Sequence, residues 1–237
     1  MPEVLKNPRL ESIDAVLFDF GDTLASLAPA KEELFISAAR SIGLELTLPA
    51  VQRAYQIVDF HNKYSSVNVK NRDKFYREYN EQLCWALGIN RHFEELAPLL
   101  AASFKKNKTW QLIEGVPEVL AELKKRKIRL AIVANWDRDL PALAEQLKIK
   151  KYFASIVSSQ EAGVEKPDPD IFEHALGELS LTTERDTIIY IGNEYKADIH
   201  GARAAGLIPI LIDRYGLYPH ADCLHFSSLP EWLEAAK

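Results

Sequence analysis

From Trp110 onward, short apolar runs alternate with stretches of helical spacing, and this rhythm constrains the fold more than any other feature. Ile128 to Ala134, Ala154 to Val157, Thr187 to Ile191 and Leu207 to Ile212 each read as a buried strand. Helices are predicted between them. One opens at Gly115-Val116-Pro117, one lies near 137–148, and one begins at Pro169 with Asp168 as its cap. Another runs to Ala205 and stops at Gly206. Nearer the N-terminus, Ala15-Val16-Leu17-Phe18 is a further unbroken apolar run, and it ends at Asp19. Such alternation builds a Rossmann-like α/β fold, a parallel sheet with helices on both faces. Cys223 to Phe226 reads as a short edge strand and Pro230 to Ala236 as a closing helix.

Residues 25–108 break the rhythm. Leu34, Phe35, Ala38, Ala39 and Ile42 form one helical stripe closed by Gly43. Further helices are predicted near 48–62, around Phe75 to Leu87, and near 91–105, with no strand among them. The expected organisation is an α/β core of 1–24 and 109–237, interrupted by an all-helical cap domain at 25–108. The insert departs just after the first strand, where a lid would be placed. Tyr55, Phe60 and Tyr64 either line its inner face or pack the lid itself.

Composition excludes some classes. A net charge of −5 disfavours nucleic acid as a partner. The basic run Lys124 to Lys127 falls at a predicted helix end, where cations suit the dipole. Cys84 and Cys223 fit no metal or redox spacing, so two reduced thiols are expected. The six histidines fit no ligand spacing either. No run approaches membrane-spanning length, and the expected location is cytoplasmic.

Right-handed crossovers bring successive strand ends to one edge of the sheet. Asp19, Asn135 and the segment Gly192 to Asp198 are then expected to converge there. A carboxylate at a strand end suits a nucleophile or a cation ligand. Lys166 is a point charge suited to a phosphoryl oxygen and to Asp19 itself. Backbone N–H groups of the Asp19–Thr23 turn can cradle phosphate oxygens. Arg138 is a candidate anion contact, with an ion pair to Asp137 or Asp139 as the competing use. Asp198 opens a predicted helix and would serve equally as its cap.

Four pieces carry a family resemblance. They are Asp19-Phe-Gly-Asp-Thr23, the strand ending Ala134-Asn135, Glu165-Lys166-Pro167-Asp168-Pro169, and Gly192-Asn193-Glu194-Tyr195-Lys196-Ala197-Asp198 followed by Gly201 to Gly206. In order and spacing they resemble the haloacid dehalogenase superfamily of hydrolases, and the insert looks like that family's type 1 helical cap. The resemblance implies that Asp19 is the nucleophile and passes through an acyl-phosphate. It implies catalytic roles for Lys166 and Thr23, and substrate contacts from Gly21, Asp22 and Asn135. Asp19, the Gly21 carbonyl, Asn193 and Asp198 are the implied Mg²⁺ site, and a small phosphorylated metabolite is the implied substrate.

Three departures qualify it. Phosphatases of the family carry a second Asp two residues after the nucleophile, where this chain has Gly21, with Asp22 one place later. General acid help of that kind is worth about 10²–10⁴ in rate. Ala134 stands where a Ser or Thr is usual, and a lost hydrogen bond to a charged group costs roughly 1.5–3 kcal/mol. Asn193 replaces the metal-binding Asp, which should weaken Mg²⁺ unless Glu194 compensates. Two alternatives follow. One is metal-independent removal of halide from a 2-haloacid; the other is a degenerate member that binds a phosphorylated ligand or a protein.

Overall fold

A computed structural model describes residues 7–61, 71–107, 109–181 and 185–237. In chain order the elements are β1 (Ala15–Phe18), β2 (Ala25–Leu27), α1 (Lys31–Ser41), α2 (Leu48–His61), α3 (Arg72–Ala86), α4 (Phe93–Lys106) and β3 (Trp110–Leu112). Then come α5 (Val116–Lys125), β4 (Arg129–Ala134), α6 (Leu140–Gln146), β5 (Ser155–Ser158), α7 (Ser159–Ala162) and α8 (Asp170–Glu178). The chain closes with β6 (Ile188–Gly192), a π-turn (Tyr195–His200), α9 (Gly201–Ala204), β7 (Ile208–Ile212), β8 (Leu224–Phe226) and α10 (Leu229–Ala236).

Six strands form one parallel sheet in the order β5-β4-β1-β6-β7-β8. The predicted Rossmann-like sheet is therefore present, with Leu224–Phe226 as an edge strand. β1 lies in the middle and all four of its residues are buried. The chain first builds outward through β4 and β5, then returns to the other side of β1 with β6. The carboxyl end of β1 is thus the switch point, where open α/β sheets bind ligands.

Alternation along the strands sends side chains to two helical layers. Ala15, Leu17, Ala131, Val133, Ile188 and Tyr190 share one core with Ile171, Phe172, Ala175 and Leu176 of α8 and Ala202 of α9. α5 packs on β4, and α10 packs on α5 and β8. Trp232 of α10 is fully buried.

The chain divides into two compact units, residues 1–25 with 112–237, and residues 26–111. The second has its own core. Phe35, Ala39, Val51, Ala54, Tyr55, Leu83, Leu96 and Leu100 meet there. Tyr55 is buried against Phe35, Phe60 is exposed, and Tyr64 lies outside the described residues.

Several local expectations are corrected. The segment expected to hold no strand begins with β2, which pairs with β3 in a two-stranded sheet. The Leu24 carbonyl accepts from the Ile113 N–H, and the Ala28 N–H donates to Thr109. Three-residue strands are too short to show a period of two. The helix near 137–148 is shorter, Leu140–Gln146. Pro169 precedes its helix, and Asp168 Oδ1 accepts from the Asp170 N–H. The stretch to Ala205 is a π-turn followed by a single α turn.

Both cysteines are free and buried, and burial pushes each thiol up to about 11. Among the described residues no helix is long and apolar enough to cross a membrane.

Phe172 is fully buried and meets the Tyr190 ring edge-on, with centroids 4.9 Å apart. Phe172→Ala is expected to cost about 3–5 kcal/mol of stability in urea unfolding.

Candidate active site

Asp19 follows the last residue of β1, and its N–H donates to the Ile191 carbonyl of β6. Strand register carries Asn135 and Asn193 past it on either side, since Phe18 faces both Ile132 and Ile191. Lys166 comes from the loop between α7 and α8, and Asp198 from the π-turn.

These side chains form one buried network. Lys166 Nζ lies 2.7 Å from Asp19 Oδ1, 2.6 Å from Asp198 Oδ1 and 2.8 Å from the Tyr190 hydroxyl. The Lys166 side chain is 2% exposed, that of Asp19 12% and that of Asp198 0%. Asp198 Oδ2 receives the Glu194 N–H at 2.8 Å. The Tyr190 hydroxyl reaches the Val133 carbonyl at 2.9 Å and Asp198 Oδ1 at 3.0 Å.

Burial pushes the Asp19 carboxyl up to about 6; the Lys166 charge opposes that shift and Asp198 adds to it. Burial pulls Lys166 down, but attraction to Asp19 and Asp198 outweighs it, and its pKa rises. Lys166 therefore stays an ammonium, and with both carboxylates ionised the group carries one net negative charge. Removing Lys166 would leave two buried carboxylates without their cation, at a cost of about 3–5 kcal/mol.

Gly192 makes this approach possible. A Cβ there would stand 2.2 Å from Asp198 Oδ2. The π-turn is also tied from outside. Asp222 accepts from Tyr195 and, at 2.7 Å, from Arg203 Nη2. Those bonds, Arg203 first and Tyr195 second, hold its carboxyl down at about 2.

Other predicted residues have partners within the protein. Asn135 Oδ1 accepts from the Lys166 N–H at 2.8 Å, and its Nδ2 donates to the Lys166 carbonyl at 3.0 Å. It staples the lysine's backbone to the end of β4. Arg138 is exposed, and its backbone N–H donates to Gln160 Oε1. Thr23 is 1% exposed and donates to Asn193 Oδ1 at 3.0 Å, so it orients that amide.

The turn after Asp19 is closed by a bridge between Gly21 and Ala25. It uses the Asp22 N–H and the Phe20 carbonyl, which leaves the Gly21 carbonyl outside it. Asp22 is left-handed, with φ of 59°, a region Asp tolerates better than most residues. Its carbonyl faces Arg214 Nη2 at 3.4 Å. A Cβ on Gly21 would meet the Trp136 ring at 3.3 Å, and that ring packs edge-on against Phe20. The residue lacking the family's second acid is therefore also one that an aromatic crowds.

The donors around Asp19 are oxygens, which suits a hard cation. Asn193 brings no charge, and Asp198 is turned to Lys166 and Tyr190 with both oxygens engaged. Among the described residues no group of three His, Cys, Asp or Glu side chains is arranged to hold a metal.

The family profile of haloacid dehalogenase-like hydrolases matches residues 13–206. The chain belongs to this family. It is a hydrolase. Haloacid dehalogenase-like hydrolase domain-containing protein 3 of Bos taurus is 30% identical over 204 residues, covering 82% of this chain and 80% of the relative. Glyceraldehyde 3-phosphate phosphatase of Methanothermobacter thermautotrophicus is 28% identical over 214 residues, covering 85% and 86%. A predicted phosphoglycolate phosphatase from Haemophilus somnus shares the fold, with a TM-score of 0.61, 17% identity, and coverage of 95% of this chain and 99% of that one.

Tyr190 is the site residue that motif reasoning missed. Tyr190 sits inside an apolar strand and reads as core. The one available signal was a lone hydroxyl in the run Ile188 to Ile191.

Gly192→Ala is expected to force Asp198 away from Lys166 and to cost about 1–3 kcal/mol, the usual range for overpacking, read by thermal unfolding. Unchanged stability would contradict the close packing of Asp198 on Gly192.

Proposed function

We propose that this hydrolase is a phosphatase acting on a small phosphorylated metabolite through an aspartyl-phosphate on Asp19. The observation that carries the reading is the Asp19 carboxylate at the sheet's switch point, bonded at one oxygen to a buried ammonium. The named activity of the glyceraldehyde 3-phosphate phosphatase relative supports the substrate class. Residues 26–111, a compact unit of their own, are read as the family's helical cap.

Lys166 holds Asp19 Oδ1 and leaves Oδ2 to attack phosphorus. The bond from phosphorus to the ester oxygen breaks as the new bond forms. The leaving oxygen takes its proton from water, because position 21 has no carboxyl. Water then attacks the phosphoryl group, releases phosphate and restores the carboxylate. Asp19, the Gly21 carbonyl and Asn193 would hold a weakly bound Mg²⁺, which when bound neutralises phosphoryl charge. Thr23 fixes the Asn193 amide for that use, and Asn135 fixes the lysine.

Two outcomes are expected. Asp19→Asn abolishes phosphate release from an aryl phosphate while leaving the fold intact by circular dichroism; equal turnover would overturn the reading. Asp19 acts ionised, and in the metal-free protein burial raises its pKa to about 6, so kcat/KM measured without added Mg²⁺ should rise with pH, about tenfold per unit below 6, and level above it. A pH-independent kcat/KM between 4 and 7 would contradict that role. Halide release from 2-haloacids without phosphate release would replace the phosphatase reading with the dehalogenase one.

A further inference from the structure

An ammonium has three N–H donors. In Lys166 all three are occupied, by Asp19 Oδ1, Asp198 Oδ1 and the Tyr190 hydroxyl. None is left for a substrate oxygen. If the ammonium is to touch a phosphoryl group, one bond must be given up. The two carboxylate bonds are charge-assisted at both ends, and such bonds are roughly twice as strong as neutral ones. The Tyr190 oxygen is the one neutral acceptor of the three.

Tyr190 can also lose this bond without being stranded. Its own proton has acceptors in the Val133 carbonyl at 2.9 Å and Asp198 Oδ1 at 3.0 Å. Its ring is fixed by the edge-on contact with Phe172. The exchange therefore orphans no buried donor, whereas release of Asp19 or Asp198 would leave a carboxylate poorly compensated.

We propose that Tyr190 is the exchangeable partner of Lys166: an anionic oxygen arriving beside Asp19 takes the third N–H of the ammonium from the Tyr190 hydroxyl. The inference rests on the phosphatase reading of the same site. It makes Tyr190 a positioning residue. In the resting protein its hydroxyl completes the shell of Lys166, and it competes with the anion for one donor.

Competition has a sign that a structural role lacks. Tyr190→Phe keeps the ring and removes the competitor. Orthovanadate binding, measured by calorimetry, should tighten about two- to tenfold in the variant, the equivalent of one neutral hydrogen bond. Equal or weaker binding by a folded Tyr190→Phe protein overturns the proposal. The Val133 carbonyl loses a donor in that variant, so a second measurement uses the unaltered chain. In a crystal structure with orthovanadate, Lys166 Nζ should lie within hydrogen-bond distance of a vanadate oxygen and beyond it from the Tyr190 oxygen. Retention of all three protein bonds beside bound vanadate overturns the exchange. If the unaltered protein binds no oxyanion, the phosphatase reading falls and this inference with it. Binding without tightening in the variant removes only the inference.

Discussion

One ammonium between two carboxylates, in a nearly dry interior, governs the arrangement of this site. Lys166 is 4% exposed and Asp198 is fully buried. Neither charge would be tolerable there alone, because an isolated buried ion costs several kcal/mol even after relaxation. Together they are tolerable, and Asp19 at the rim shares the same cation. The surrounding chain is shaped to that need. Gly192 lets Asp198 approach, Asn135 staples the lysine backbone, and Tyr190 fills the last donor.

The sheet explains why those groups meet. Both neighbours of β1 are parallel to it, so three strand ends point the same way. Chain reversal at β1 leaves the Asp19 turn between β4 and β6. The lysine loop and the π-turn then need to reach only a few ångströms. The π-turn widens the helix start that delivers Asp198, and such turns recur at functional sites.

Much of this was legible in the residues. Apolar runs bounded by polar turns located β1, β4, β5, β6 and β7, because largely buried strands leave no polar alternation; β8, half-exposed at the sheet edge, was read from Cys223 to Phe226. Asp19, Lys166 and Asp198 were legible as a group through their motifs. Side-chain direction was not. Asn135 follows a strand end, but no motif shows that its amide binds the Lys166 backbone. Tyr190 was hidden because a tyrosine inside a buried strand looks like packing, and only the fold shows where its hydroxyl lands. β2 and β3 escaped because three residues carry no period. Gly21 read simply as a missing acid, whereas the Trp136 ring against it is a contact across 115 positions that no local pattern encodes.

The central claim is that Asp19 itself carries the phosphoryl group during turnover. Its most direct test is rapid acid quenching of the protein with an aryl phosphate, followed by peptide mass spectrometry. The account predicts one added phosphoryl group on the peptide containing Asp19, absent from Asp19→Asn. Steady phosphate release with no modified Asp19 at any quench time, and undiminished release by Asp19→Asn, would contradict it.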